Sequence, residues 1–307
     1  MRGLRIRETP GGHGLATRHR HITAVMTREF LKMHGLGNDF VVIDARNTPY
    51  SPAEAEVRAI ADRKTGVGCD QFIVVEPATK AGSSGFMRIH NADGSEVSAC
   101  GNASRCVGWL LLEETGAERV AFETKAGLLE AYRADPDHTG LSRVTVDMGP
   151  ARLDWSEIPL AGPADTLRLD IEQDGFAGPV AVSMGNPHAV FFVEDAEAVP
   201  LTEVGPRLEH HPAFPERANI EFAQVLSPTA IRMRVWERGT GVTRACGTGA
   251  CATVVAAARR GLTGRKADVI LDGGTLTIEW LDDGRVLMTG PVALSFTGRL
   301  APEPVPA

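Results

Sequence analysis

Two segments of the chain contain the tripeptide Ala-Cys-Gly, and each is followed by small and apolar residues. The segment SACGNASRC begins at Ser98, and the segment RACGTGAC begins at Arg244. Their cysteines, Cys100 and Cys246, are 146 positions apart. A redox pair, a metal site and a two-sided acid–base site are each compatible with two such thiols, so the rest of the sequence has to distinguish between them.

Each of these cysteines directly precedes a predicted buried helix. Residues 102–115 and 248–260 are apolar on nearly every face, which is typical of a helix that other elements enclose. A helix N-terminus offers unpaired backbone N–H groups and the positive end of the helix dipole. These features lower the pKa of a thiol and bind a carboxylate. If the two segments face each other across a cleft, two thiols with thiolate character and two sets of amides converge on one small anion.

The cysteine spacing disfavours a zinc site. Five residues separate Cys100 from Cys106 and four separate Cys246 from Cys251, whereas zinc sites favour Cys-x2-Cys pairs or interleaved histidines. A phosphate-binding loop needs a Gly-rich turn with a lysine, which neither segment has. Cys106, Cys251 and Cys69 are therefore interpreted as small, buried, apolar residues.

Several polar residues recur in the same order in the two halves of the chain. An ordered recurrence at a nearly constant offset predicts a duplicated domain. The aligned pairs are Asn38 with Asn186 and Gln71 with Asn219, both at an offset of 148, and Asn91 with Glu237 at an offset of 146, the same as for the two cysteines.

The sequence between these residues predicts many short strands separated by turns. We predict an α+β fold of two pseudo-symmetric domains, each a mostly antiparallel, curled and barrel-like sheet around a central buried helix. A shorter helix is predicted to have Ser51 as N-cap and Pro52 as its first residue. The strand patterns lie at 30–33, 40–45, 72–76, 86–90, 119–124 and 143–148, and near 180–184, 189–193, 219–225, 231–236, 268–271, 275–280 and 285–290.

The predicted domain boundaries follow from this repetition. The N-terminal domain spans 28–148 and is completed by a C-terminal strand at 291–301, and the second domain spans 149–290. Residues 1–27 contain five arginines and one acid, and they show no strand or helix period. We interpret them as a disordered leader, or as the result of a start assigned upstream of Met26, rather than as a secretory signal.

Composition excludes several classes of protein. The 307 residues are 43% hydrophobic and carry a formal net charge of −7, which gives no electrostatic support to non-specific nucleic-acid binding. No apolar segment has the length of a membrane span. Five cysteines in a chain of this length do not form a disulfide framework. We therefore expect free thiols in a reducing cytoplasm.

Five segments taken together resemble the motif set of the diaminopimelate epimerase family. They are HGLGNDF, GVGCDQF, NADGSEVSACGN, MGNPHAV and ERGTGVTRACGTGAC, and they occur in order over about 30–300. The resemblance implies the fold of that family and the epimerisation of LL-2,6-diaminopimelate to the meso form, serving lysine and peptidoglycan precursor biosynthesis. It also implies a cytoplasmic homodimer with no metal, no other cofactor and no nucleic-acid or membrane partner.

The resemblance assigns roles to individual residues. Cys100 and Cys246 match the acid–base thiols, one deprotonating and the other protonating the substrate, with roles that exchange between the two reaction directions. His188 and Glu237 match positions that tune the thiols, and Arg238 is suited to a bidentate contact with a distal carboxylate. The substrate-binding positions are Asn38, Gln71, Asn91, Gly101, Asn102, Asn186, Asn219, Glu237, Arg238, Gly247 and Thr248.

Two departures from the family pattern and two alternative functions stay open. Ala103 stands where the family usually has glycine, and His90 stands where an aromatic residue is common, so His90 could add charge near the site at low pH. A proline- or hydroxyproline-type racemase would also use two opposed cysteines, but it needs apolar space for a ring. A thiol redox or metal-binding protein would explain none of Asn91, Asn186 or Arg238.

Overall fold

The computed structural model describes residues 27–136 and 140–300. The predicted leader therefore lies outside the described residues, except for Thr27. The first half contains β1 (Arg28–Gly35), β2 (Asn38–Asp44), α1 (Glu54–Ala61), β3 (Gln71–Glu76), β4 (Phe86–Asn91), β5 (Glu96–Val97), α2 (Gly101–Thr115), β6 (Arg119–Thr124), β7 (Gly127–Ala134) and β8 (Arg143–Pro150). The second half contains β9 (Glu172–Gln173), β10 (Phe176–Ala177), β11 (Val180–Ser183), β12 (Pro187–Phe192), α3 (Leu201–Glu209), β13 (Asn219–Ser227), β14 (Ala230–Glu237), β15 (Gly241–Val242), α4 (Gly247–Arg259), β16 (Lys266–Leu271), β17 (Gly274–Trp280), β18 (Arg285–Pro291) and β19 (Ala293–Leu300).

The two halves repeat one strand order. Neighbouring strands follow the order β1-β2-β3-β4-β6-β7-β8 in the first half and β11-β12-β13-β14-β16-β17-β18 in the second. The pairs β2–β3 and β4–β6 are parallel, as are β12–β13 and β14–β16, and the other pairs are antiparallel. The predicted fold class is confirmed, and in the described ranges the curled sheet does not close into a barrel.

The halves are joined at β8 and β18, which pair in antiparallel register. Thr145 and Thr289 lie opposite each other there, and their Oγ1 atoms are 2.7 Å apart. Each half also contributes a segment to the far edge of the other. β19 pairs with β1, while Arg152, which follows β8, exchanges two backbone hydrogen bonds with Ser183 of β11 at 2.9 and 3.0 Å. Together with the pairing of β8 and β18, these two contacts join the halves at three places.

One helix fills the interior of each half. Val107 and Leu111 of α2 are fully buried, and so are Val254 and Val255 of α4. Gly108 lets α2 approach β7 closely, because a Cβ at this position would lie 2.6 Å from the Cβ of Ala131. The helices begin at 101 and 247, one residue before the predicted starts. Their N-termini are therefore held by a packed core rather than by a surface loop.

The first short helix is present, but its predicted N-cap and first residue are wrong. Helix α1 begins at Glu54, with Ala53 as an extended N-cap that makes no side-chain capping bond, so Ser51 and Pro52 precede the helix. The later start places the carboxylates of Glu54 and Glu56 in the first turn, near the positive end of the helix dipole. None of the helices in the described part of the chain is long and apolar enough to cross a membrane.

The sequence patterns also missed several elements. Helix α3 occupies the same place between β12 and β13 as α1 does between β2 and β3. It contains Gly205 and Pro206, which both argue against a helix. Gly205 is required by packing, because a Cβ there would lie 2.5 Å from the Cγ of Trp236. The strands that were not predicted are β5, β7, β9, β10 and β15.

Candidate active site

The starts of α2 and α4 face each other where the two halves meet. A Cβ on Gly247 would lie 3.7 Å from the Cα of Gly101, and Met288 of β18 contacts both glycines. The side-chain amide of Asn102 donates a hydrogen bond to the backbone carbonyl of Ala245 at 3.4 Å, which links the first half to the second. The fold thus brings the two Ala-Cys-Gly segments together. Glycine at both positions leaves room for Met288, because a Cβ on Gly101 would lie 3.0 Å from its Cε and a Cβ on Gly247 would lie 2.9 Å from its Sδ.

Cys100 is the N-cap of α2 and is partly buried. Its Sγ lies 3.8 Å from the Oδ1 of Asn38, and the amide of Asn102 donates to the same oxygen at 3.1 Å. The pKa of Cys100 is raised to about 11, mainly by burial and also by the charge of Glu237. The backbone amides of Ala103 and Asn102 and the charge of Arg105 act in the opposite direction.

Cys246 is the N-cap of α4 and is buried. Its Sγ accepts a hydrogen bond from the backbone N–H of Gly249 at 3.4 Å and lies 3.6 Å from the hydroxyl of Thr248. Burial raises the pKa of Cys246 well above its ordinary value, and the carboxylates of Glu237 and Glu221 raise it further.

The expectation that the helix N-termini lower the pKa of both thiols is wrong in this structure. The amides do stabilise each thiolate, but removal of water from Cys100 and Cys246 has a larger effect of the opposite sign. The site therefore favours neutral thiols until a further positive charge or a bound partner compensates a thiolate.

Behind Cys246 lies a buried pair of which the sequence indicated only His188. His188 Nδ1 is 2.6 Å from an oxygen of Glu221, and both side chains are fully buried. The other ring nitrogen of His188 lies 3.0 Å from the Oδ1 of Asn186. The amide nitrogen of Asn186 in turn donates to the hydroxyl of Thr248 at 3.3 Å. A continuous polar chain thus runs from Glu221 to the residue beside Cys246.

A second polar group lies at the start of β13 and the end of β14, and it consists of Asn219, Glu237 and Arg238, which directly follows β14. The carboxylate of Glu237 accepts a hydrogen bond from the Thr243 hydroxyl, and burial raises its pKa. Asn219 accepts from the backbone N–H of Arg238 at 2.9 Å. The guanidinium of Arg238 donates to the carbonyl of Glu216 at 3.0 Å and has no carboxylate partner in the described residues. It can therefore accept an anionic group from a ligand.

Gln71 and Asn91 lie directly opposite each other in the β3–β4 register. The amide nitrogen of Gln71 donates to the Oδ1 of Asn91 at 3.2 Å, and the Gln71 carbonyl oxygen is buried without a partner. His90 is paired with Phe72 in the same register, so it lies on the opposite face of β4 from Asn91. The possibility that His90 adds charge beside Asn91 is therefore not supported. The other departure from the family pattern, Ala103, is fully buried at the start of α2.

An ionic network that the sequence did not reveal positions Asn38. Asp70 accepts from the amide of Asn38 at 3.0 Å, and Arg63 bridges Asp70 and Asp39 at 2.7 and 2.6 Å. Lys32, which is buried, contacts Asp39 at 2.5 Å. Although burial acts in the opposite direction, the hydrogen bonds from Arg63 and Lys32 hold the pKa of Asp39 well below its usual range.

Comparison with known proteins places this chain in a family. The family model described as Diaminopimelate epimerase matches residues 30–153 and 180–295. A diaminopimelate epimerase from Rhodospirillum centenum is 61% identical over 282 residues, covering 92% of this chain and 95% of the relative. One from Phenylobacterium zucineum is 58% identical over 283 residues, covering 91% and 100%.

Solved structures with lower identity share the fold alone. A predicted epimerase from Pseudomonas aeruginosa superposes with a TM-score of 0.64 at 18% identity, covering 89% of this chain and 99% of its own. A hydroxyproline epimerase from Agrobacterium vitis superposes with a TM-score of 0.62 at 20% identity, covering 90% and 91%. From the matched family model and the two sequence relatives at 61% and 58% identity, we conclude that the chain belongs to the diaminopimelate epimerase family.

Proposed function

We propose that this enzyme converts LL-2,6-diaminopimelate to meso-diaminopimelate without a cofactor, by acid–base catalysis with two cysteines. The observation that carries the proposal is the placement of Cys100 and Cys246 at the N-caps of two buried helices whose first residues, Gly101 and Gly247, face each other. The names of the closely related sequences support the substrate.

The proposed reaction has two proton transfers. A thiolate takes the proton from the α-carbon of the substrate and becomes a thiol, while the thiol on the opposite face gives its proton to the same carbon and becomes a thiolate. The carbanion between the two steps delocalises its charge into the adjacent carboxylate. The backbone amides of Gly101-Asn102 and Gly247-Thr248 at the two helix starts are suited to stabilise that charge. Which thiol acts first depends on the configuration of the substrate.

We propose that the remaining polar residues bind the rest of the substrate. Arg238 has no carboxylate partner in the described part of the chain, which suits it to the distal carboxylate, and Glu237 is suited to an ammonium group. The amides of Asn38, Gln71, Asn91, Asn186 and Asn219 orient these groups without adding net charge. A proline-type substrate would leave the charges of Arg238 and Glu237 without partners, so this polar set favours diaminopimelate over the racemase alternative.

We further propose that the enzyme serves lysine and peptidoglycan precursor biosynthesis in the cytoplasm and forms a homodimer. Leu294 and Phe296 of β19 are 42% and 50% exposed, although both side chains are large and apolar. The end strand β19 is therefore the surface that we assign to the dimer. We expect the Phe296→Asp variant to sediment as a monomer. A variant that still sediments as a dimer would reject this surface.

The substrate assignment is tested by α-proton exchange in D2O. The enzyme is incubated separately with LL-diaminopimelate and with L-proline, and loss of each α-proton signal is followed by NMR. We expect exchange of diaminopimelate and none of proline. Exchange of proline at a comparable rate would favour the racemase, and absence of exchange with both compounds would reject the proposed reaction.

A further inference from the structure

Arg105 on α2 is the largest side chain that is fully buried in the described residues. Its Nη2 donates to the Oδ1 of Asn102 at 2.9 Å, and its Nη1 lies 3.5 Å from the sulfur of Met288. The Nε has no hydrogen-bond partner, and no carboxylate forms an ion pair with the guanidinium in the described part of the chain. A buried charge without a counter-ion is costly, so its presence calls for a function.

The surrounding backbone leaves room for this guanidinium. A Cβ on Gly35, at the end of β1, would lie 2.8 Å from Nη2, and a Cβ on Gly290, in β18, would lie 3.1 Å from Nε. The distance at Gly35 is shorter than real Cβ contacts, and the distance at Gly290 is tight. Glycines from the two halves therefore leave room for the guanidinium next to the start of α2.

The titratable groups that face Arg105 are thiols. They are Cys100 and Cys106 from its own segment and Cys251 from α4. Cys100 also faces Glu237 of β14. The other site thiol, Cys246, instead faces two carboxylates, Glu237 of β14 and Glu221 of β13.

The repetition within the chain makes this difference specific to one half. At the offset that relates Cys100 to Cys246, the position of Arg105 corresponds to Cys251. Cys251 is buried and uncharged, because burial raises its pKa to about 12. Helix α4 thus has the same start as α2 but lacks the buried cation beneath it.

We propose that Arg105 is a positioning residue that places a positive charge beneath the N-terminus of α2 and so makes Cys100, rather than Cys246, the thiol that ionises first. This inference rests on the proposed two-cysteine reaction. Arg105 also orients Asn102, whose amide nitrogen donates to Asn38 and to the carbonyl of Ala245. A loss of charge and a loss of orientation at this position can be separated by substitution.

The test uses a matched pair of variants of the full chain. Arg105→Lys keeps the charge but loses the planar donor geometry, and Arg105→Gln loses the charge but keeps an N–H donor for Asn102. Each protein is treated with limiting iodoacetamide at a fixed pH, and the alkylation rates of Cys100 and Cys246 are obtained by peptide mass spectrometry. Cys246 is an internal control for unfolding, and Cys251→Ala is the control for a change at the corresponding position of α4.

In Arg105→Gln, alkylation of Cys100 is expected to slow about tenfold or more, since one pKa unit changes the thiolate fraction tenfold. The rate for Cys246 stays within about twofold because its surroundings are unchanged. Arg105→Lys and Cys251→Ala are expected to keep the native rate at Cys100. The acid limb of the kcat/KM profile moves to higher pH in Arg105→Gln, which a structural role alone would not produce.

Equal Cys100 rates in the Lys and Gln variants would overturn the proposal, as would an acid limb that does not move. If Arg105→Gln does not fold, Arg105→Met replaces it as the neutral variant. Alkylation requires no turnover, so its result is independent of the substrate. Failure of the proposed reaction would instead be seen as a native enzyme that exchanges no α-proton of diaminopimelate.

Discussion

The surroundings of Cys100 and Cys246 differ, although the two halves share one strand order and one helix position. Cys100 is partly exposed and lies beside the neutral side chain of Asn38, with Arg105 behind it. Cys246 is buried between amide and hydroxyl donors and lies beside Glu237 and Glu221. Repetition provides two equivalent positions for a thiol, and unrepeated charged residues make the two thiols unequal.

This inequality matters because acid–base catalysis on two faces requires one thiol and one thiolate at the same time. Two identical thiols would share their protons as a coupled pair, and both would ionise over the same pH range. A guanidinium near one thiol and an additional carboxylate near the other separate the two ionisations. We expect a bell-shaped pH profile of kcat/KM, limited by loss of the thiolate at low pH and of the thiol at high pH.

The largest expected effect comes from removing either thiol. Cys100→Ala and Cys246→Ala should each lower the rate of epimerisation by about a thousandfold or more, because each face of the carbon needs its own proton carrier. Cys69→Ala, which changes a buried cysteine outside the site, is the control for thiol loss and should retain activity. Full activity in either of the first two variants would reject the two-thiol reaction.

The next effect concerns the distal part of the substrate. Arg238→Lys keeps the positive charge but loses the planar pair of donors, so KM should rise by about tenfold or more with a smaller change in kcat. Steady-state kinetics with LL-diaminopimelate measures both constants. A variant with native KM would show that Arg238 does not bind the distal carboxylate.

A smaller effect is expected from removing the carboxylate that is found only beside Cys246. Glu221 raises the pKa of Cys246, so Glu221→Gln should lower that pKa and move the alkaline limb of the kcat/KM profile to lower pH, by about one unit. The acid limb should stay in place because Cys100 does not face Glu221. If the acid limb moves instead, Glu221 acts on the other thiol.

The smallest expected effect is on stability rather than on chemistry. The pKa of Asp39 is depressed in the folded protein, so its contribution to stability is present above about pH 4 and is lost as the pH falls through the depressed value. Asp39→Asn should lower the unfolding free energy at pH 7 by about 1–2 kcal/mol, because Lys32 loses its partner while Asp39 is partly solvated.

Thermal unfolding at pH 7 and at pH 3 measures this contribution. The difference in Tm between the native enzyme and Asp39→Asn should be smaller at pH 3 than at pH 7. A difference that is equal at both pH values would show that Asp39 acts through its shape rather than through its charge.

The sequence predicted the fold where a local pattern and a structural requirement coincide. The starts of α2 and α4 lie within one residue of the prediction, because an apolar segment that follows Ala-Cys-Gly has few other places to begin a helix. The recurring residues also fall at corresponding places in the sheet. Phe40 pairs with Gln71 in β2–β3, and His188 pairs with Asn219 at the same offset in β12–β13.

The sequence did not reveal those residues whose corresponding position in the other half holds a different type of residue. Glu221 corresponds to Ile73 and Arg105 to Cys251, so a search for repetition passes over both. The change in thiol pKa was also mispredicted, since the helix dipole is visible in the local sequence whereas burial depends on the tertiary structure. The helix α3 was missed because packing against Trp236, rather than propensity, stabilises it.

The central claim is that two thiols act on opposite faces of one carbon. It is tested most directly by the position of deuterium after the first turnovers of LL-diaminopimelate in D2O. The thiol that protonates the carbanion is in exchange with solvent, so the first meso product should carry deuterium at the inverted α-carbon, while recovered LL-substrate should carry almost none. A first product that retains the original hydrogen at that carbon would mean that one group both removes and returns the proton, which would contradict the two-thiol account.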